Sequence, residues 1–168
     1  MNIESCFMKP KMLKIKFIVV DRTRSPFLKE AENFYLDRLR KYTRVEWDEV
    51  KPAKIKKGKP DKGILTTEGQ NIACKIEQKD YVVALDRNGD QYDSKELSDW
   101  MDRLSVSVDG WVCFVIGGPL GLSKEITDRA EKILSLSRLT LTHEMCRIFL
   151  VEQVYRAFTI MKGEKYHK

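Results

Sequence analysis

The sequence predicts an α/β domain: a mostly parallel sheet with helices on both faces. Three observations point to it. Residues 13–20 (LKIKFIVV), 81–85 (YVVAL) and 111–116 (WVCFVI) are strand-length and almost wholly apolar, as strands covered on both sides are. Segments with apolar residues at helical spacing alternate with them, the pattern that builds a parallel sheet. The 168 residues contain no internal repeat and no linker long enough to divide them, so they make one domain.

Each element has its own signal. Residues 1–11 are expected to be a disordered N-terminal extension, with Met8 or Met12 as an alternative start, before a single domain over 12–168. The run at 13–20 alternates and then turns fully apolar, which suits a strand ending inside a sheet. Ser25-Pro26 opens a helix, with proline at its first position and Phe27, Ala31, Phe34, Tyr35 and Leu39 at helical spacing. A short strand is expected around 45–50. Residues 51–62 carry six lysines and one aspartate with two prolines and a glycine, and so predict an irregular, solvated loop that can also order on a polyanion.

Helix resumes over about 63–78, and a buried strand follows at 81–85. Asn88-Gly89 marks a turn, and Ser94 is placed to cap a helix carrying Leu97, Trp100, Met101 and Leu104. After the strand at 111–116 comes the turn Gly117-Gly118-Pro119-Leu120-Gly121. Ser123 then caps a helix expected to reach Leu134. The segment 134–143 (LSLSRLTLTH) leads into a last helix over about 144–161. That helix is apolar around more of its circumference than one buried face needs, which points either to burial by its own sheet and helices on both sides or, the favoured reading in a chain this short, to cover by a partner subunit.

Charge and composition narrow the function. Lys and Arg number 31 against 25 Asp and Glu, a net +6, which favours a polyanionic partner without requiring one. No apolar run has the length to cross a bilayer, and the N-terminus lacks the apolar core of a secretion signal. Cys6, Cys74, Cys113 and Cys146 lie far apart without a CxxC pair, with only His143 and His167 to join them. A metal site has little to build on, and buried cysteines of this kind suit a reducing cytoplasm.

Two motifs point to a ligand. GGPLG after a buried strand puts a pliable backbone turn at the carboxyl edge of the sheet, where open α/β folds bind ligands. It is neither GxGxxG nor a P-loop, and a plain strand-to-helix turn would read the same. Within 134–143, Leu136, Leu139 and Leu141 alternate with Ser137, Thr140 and Thr142. Such a segment can wrap a flat apolar ring and bond its edge through the main chain, although a core strand with polar alternation fits as well. His143 and Arg147 stand four apart on one face of the last helix, as do Glu152 and Arg156. The chain ends GEKYHK, either a frayed tail or an aromatic pair able to stack on a base.

Taken in order, FVIGGPLGL and LSLSRLTLTHEMCRIFLVEQVYRAFTIMKGEKYHK, with GGP, SxLTLxH, EQxYRA and a terminal YHK, resemble the bacterial large-subunit rRNA (pseudouridine-N3)-methyltransferase family of the SPOUT superfamily. The resemblance spans Met12 to Lys168. It implies a C-terminal trefoil knot, a homodimer and S-adenosylmethionine as methyl donor. It further implies methylation of N3 of a pseudouridine in helix 69 of 23S rRNA in the assembled ribosome. Carried over motif by motif, it implies a cofactor pocket of Leu85, Gly117, Gly118, Leu136, Ser137, Arg138, Leu139, Thr140 and Leu141. It places His143, Arg147, Tyr166 and His167 near the target base. In chemical terms, His143 or His167 can take the N3 proton, and Arg147 can stabilise charge developing on the neighbouring carbonyl oxygens. Tyr166 and His167 are expected to reach the partner's cofactor across the dimer.

One departure concerns the first loop. The family's first strand usually runs into Val-Gly-Lys, and this chain has Val20-Asp21-Arg22. Asp21 is therefore expected to hold a backbone angle that glycine adopts more readily. The rival reading is a non-catalytic basic module that binds RNA or the ribosome. It uses the charge and the lysine loop but leaves the glycine turn and the 134–143 segment without a task.

Overall fold

The computed structural model describes residues 12–54 and 61–166. The whole 1–11 extension, residues 55–60 of the lysine loop, and His167 and Lys168 therefore lie outside the described residues. Five strands, β1 (Lys14–Val20), β2 (Arg44–Val50), β3 (Tyr81–Asp90), β4 (Trp111–Ile116) and β5 (Lys132–Leu134), form one sheet in the order β2-β1-β4-β3-β5. Every pairing is parallel. The helices are α1 (Pro26–Leu39), α2 (Asp61–Ala73), α3 (Ser94–Ser107), α4 (Lys124–Arg129) and α5 (His143–Met161). None is long and apolar enough to cross a membrane among the described residues.

The sheet separates two cores, and strand alternation decides which side chain joins which. Ile15, Phe17 and Val19 of β1 and Val112, Phe114 and Ile116 of β4 pack with α1, α3 and α5. Ile18 and Val20, with Cys113 and Val115, pack against Ile72 of α2 and Ile126 of α4. This is why the central strands read as continuous apolar runs. Lys16, the polar interruption in β1, is buried, and its ammonium lies 5.2 Å from the centre of the Trp111 ring and 3.4 Å from Glu46.

Several boundaries differ from the sequence expectation, each for a local reason. The helix expected to run to Leu134 stops at Arg129, and Lys132–Leu134 pairs with β3 as an edge strand. Three residues are too few to show a strand period. Strand β3 continues past Leu85 to Asp90, with Leu85 and Asp90 both opposite Leu134, so residues 86–89 are extruded as a bulge. The Asn88-Gly89 turn signal falls in this bulge. Helix α2 ends at Ala73, short of the expected 78. Asp93, not Ser94, caps α3: its carboxylate accepts from the Glu96 N–H while Glu96 returns a bond to the Asp93 N–H, a complete capping box. Thr142 caps α5 by accepting from the Met145 N–H.

Candidate functional site

The carboxyl ends of β1, β4, β3 and β5 converge on one edge of the sheet, where ligands bind in open α/β folds. A cavity of about 720 Å³ opens there. One wall is the turn after β4. Its Gly121 N–H donates to the Gly118 carbonyl at 2.9 Å, and Gly121 adopts φ +81°. A Cβ on Gly117 would stand 2.3 Å from the Gly121 carbonyl oxygen, so the turn closes only because residue 117 has no side chain.

The opposite wall is the segment between β5 and α5. Leu136, Ser137, Leu139, Thr140 and Leu141 all face the cavity, as do Leu85, Gly117 and Gly118. Leu139 is 75% exposed, an apolar side chain left in water at the mouth. Arg138 is the exception in this segment: it is exposed and stands outside the lining. The segment is pinned by the Ser135 N–H donating to the Asp90 carbonyl at 2.9 Å and by the Leu139 N–H donating to Ser137 Oγ at 3.0 Å. The bulge adds Asp86, Arg87 and Asn88 to the rim, and α5 adds Cys146. These four were missed from the sequence. The signal for three of them was present, because residues that directly follow a buried parallel strand emerge at the ligand edge.

His143 lines the cavity as the first residue of α5. Its pKa is lowered, first by burial and then by the Arg147 guanidinium, against the opposing pull of Glu144 and Asp21. The positive end of α5 acts in the same direction. The ring is therefore neutral at pH 7 and able to accept a proton.

Arg147, one turn further on, does not line the cavity. It is fully buried, and its guanidinium donates to the Val20 carbonyl at 2.6 Å and to Thr23 Oγ at 2.9 Å. The Thr23 hydroxyl passes a bond to the buried Glu32 carboxylate at 2.6 Å, which also takes the Lys29 ammonium. Asp21 stands above this network with φ +68°, as its departure from glycine foretold. Its N–H donates to the Val50 carbonyl, and its carboxylate accepts from the Arg22 N–H and the Arg24 guanidinium. Burial alone would raise the Asp21 pKa, but these donors outweigh it and hold the carboxyl below its usual range.

Tyr166 follows the other end of α5. Its hydroxyl donates to Glu152 at 3.2 Å, its ring meets Tyr155 at 4.8 Å, and the Arg156 guanidinium covers it at 4.8 Å. Burial, with Tyr35 and Glu152 next, pushes its phenol up to about 12. Tyr166 thus folds back to the middle of α5, with Glu152 about 14 Å along the helix from His143, and it is not part of the lining of its own chain's cavity. The same side of the molecule carries Phe27 at 70%, Phe34 at 50% and Phe149 at 45% exposure, on the mutually packed helices α1 and α5. Among the described residues, no group of three or more His, Cys, Asp or Glu is placed to hold a metal ion.

The comparisons with known proteins agree with one another. A family model described as a predicted SPOUT methyltransferase matches residues 13–167. Ribosomal RNA large subunit methyltransferase H of Enterococcus faecalis is 41% identical over 159 residues, covering 93% of this chain and all of that protein. The protein of the same name from Clostridium acetobutylicum is 40% identical over 160 residues, again with 93% of this chain and all of its own length covered. Among solved structures, a probable methylase family protein from Haemophilus influenzae superposes with a TM-score of 0.55 at 14% identity, over 94% of this chain and 72% of that one. A probable methyltransferase from Bordetella pertussis gives a TM-score of 0.55 at 14% identity, over 87% and 96%. The two structures bear on the fold alone. Matched along nearly its whole length by the family model and by relatives at about 40% identity, the chain belongs to the SPOUT methyltransferase family, among the ribosomal RNA large subunit methyltransferase H proteins.

Proposed function

We propose that the chain is an S-adenosylmethionine-dependent methyltransferase of large-subunit rRNA, and that its target is N3 of a pseudouridine in helix 69 of 23S rRNA in the assembled ribosome. The observation that carries the reading is the cavity, where a glycine turn and a leucine-rich segment face each other with a neutral histidine between them. The relatives' name supplies the substrate class. The nucleotide and the ribosomal context rest on the sequence resemblance.

The lining suits this cofactor. Leu85, Leu136, Leu139 and Leu141 offer apolar surface to an adenine ring, and Gly117 lets a ligand approach the backbone. The cofactor supplies, when bound, an electrophilic methyl group on a sulfonium. The chain's residues hold the acceptor in line with it, and alignment of this kind supplies much of the acceleration. A ring nitrogen of His143 is placed to take the proton from N3, which frees the N3 lone pair to accept a methyl group. Arg147 acts as a positioning residue: it fixes the first turns of α5 to the end of β1, and its charge adds to burial in lowering the His143 pKa.

We infer that the active form is a homodimer in which Tyr166 and His167 of one copy complete the cavity of the other. The exposed phenylalanines of α1 and α5, and the separation of Tyr166 from its own cavity, support this. A trefoil knot is also inferred. It is supported by family membership and by the path of the chain from edge strand β5 back to α5, which packs on α1 and α3.

S-Adenosylhomocysteine in a thermal-unfolding assay tests the cofactor assignment. A ligand at a hundred times its Kd stabilises by about 2.7 kcal/mol, and a clear rise in the midpoint is expected. A non-catalytic RNA-binding module would show none.

A further inference from the structure

Arg87 lines the mouth of the cavity from the bulge within β3, and Arg138 lies in the cavity-lining segment that follows its partner strand β5. Arg87 rides on the four-residue bulge, a device that re-aims side chains beside functional sites. The bulge rests directly on β5: a Cβ on Gly89 would come within 2.7 Å of the Ile133 backbone. Arg138 lies between Ser137 and Leu139, both of which face inward while it does not. Both arginines are exposed, and neither has a hydrogen-bond, ion-pair or ring partner among the described residues.

Nearby carboxylates are otherwise engaged. Asp86 accepts from the Asn88 N–H at 2.8 Å, and Asp90 holds the Lys132 ammonium at 2.5 Å. Glu144 accepts from the Arg24 N–H at 2.8 Å. Two guanidinium groups are thus left without an ion-pair partner among the described residues, at the rim of a site whose proposed substrate is a polyanion.

Resting on the reading of this chain as an rRNA methyltransferase, we propose that Arg87 and Arg138 clamp the phosphates flanking the target nucleotide. A base entering the cavity must leave its stack, and its own phosphates then remain at the mouth. Planar guanidinium groups suit such phosphates, because two parallel N–H bonds fix orientation as well as charge. Contacts of this kind set register and carry no sequence information. The clamp positions substrate and leaves the cofactor alone, which assigns Arg138 to RNA rather than to the cofactor pocket.

The test is steady-state methylation of unmodified ribosomes over a range of KCl concentrations. It compares the full-length wild type with Arg87→Ala, Arg138→Ala, the double variant and Arg87→Lys. S-Adenosylhomocysteine affinity is measured by calorimetry on each, and Arg138→Gln replaces any Arg138→Ala protein that melts early. Each alanine is expected to raise KM for ribosomes about tenfold while kcat changes less than about twofold. The slope of log(kcat/KM) against log[KCl] should flatten by about one unit per arginine removed, and Arg87→Lys should restore the slope. S-Adenosylhomocysteine affinity should be unchanged. An active wild type with variants of equal KM and slope would overturn the clamp alone. A rise in KM that tracks lost S-adenosylhomocysteine affinity would also overturn it, by returning the arginines to the cofactor. A wild type that methylates no rRNA would overturn the function reading and the clamp with it.

Discussion

Arg147 donates to the carbonyl of Val20 at 2.6 Å, joining the start of the last helix to the end of the first strand across 127 positions of sequence. The bond closes the site, because His143 sits one turn before Arg147 and moves with it. The supporting cluster of Thr23, Glu32 and Lys29 is buried or half-buried. In such a cluster, loss of one partner leaves charge uncompensated in a region of low dielectric.

Arg147→Met should therefore cost about 1–3 kcal/mol in urea unfolding, since it takes the guanidinium donors away from the buried Val20 carbonyl and Thr23 hydroxyl. Arg147→Lys should recover part of that loss by keeping the charge. A loss below about 1 kcal/mol would show that the network does not latch α5 to the sheet.

The acid limb of kcat/KM should lie below pH 6.5. His143 has a folded-state pKa below its unfolded value of 6.5, through burial first and Arg147 second. The unfolded chain then binds the proton more readily than the folded one, so stability rises with pH across this window. The His143 contribution is complete above the unfolded pKa, falls as pH drops below it, and is fully lost below the folded pKa. His143→Ala should flatten this part of the stability profile and lower kcat by about 10²–10⁴-fold. An unchanged kcat would remove His143 from the proton transfer.

Gly117→Ala should abolish the thermal shift with S-adenosylhomocysteine. The added Cβ would lie 2.3 Å from the Gly121 carbonyl oxygen, so the turn must open. Gly163, with φ +67° but open space around it, makes the comparison: Gly163→Ala should cost about 1 kcal/mol of stability and leave the shift in place.

Asp21 tests the price of its backbone angle. Asp21→Gly loses the Arg24 pair but gains an easy φ, and should fall within about 0.5 kcal/mol of the parent. Asp21→Ala loses the pair and keeps the strain, and should be about 1 kcal/mol worse than the glycine variant. Urea midpoints in the same buffer decide the order.

Mixed dimers test whether the site is shared. His143→Ala and Tyr166→Ala proteins, each impaired alone, should regain activity when unfolded and refolded together, because one cavity in the mixed dimer has both residues intact. No recovery would place Tyr166 in a structural role beside Glu152 and Tyr155.

Much of this was legible in the sequence, and what was not has physical causes. The runs at 13–20 and 111–116 gave away a two-faced parallel sheet, since only strands covered on both sides are apolar throughout. Asp21 in the left-handed region followed from a non-glycine where the turn wants glycine. By contrast, β5 is three residues long, and the 86–89 bulge carries the same Asn-Gly signal as a hairpin turn. Most telling is Arg147: its spacing from His143 put both on one helix face, but only the packing of α5 against β1 shows the guanidinium turned to Val20. Helical periodicity does not encode which neighbour a side chain meets.

The most direct test of the central claim is methyl incorporation from labelled S-adenosylmethionine into unmodified ribosomes, with free 50S subunits alongside. Label at the helix 69 pseudouridine of whole ribosomes, absent from ribosomes already modified there, is the predicted result. No label in either substrate from a protein that binds S-adenosylhomocysteine would contradict it, leaving the pocket in place but its proposed RNA wrong.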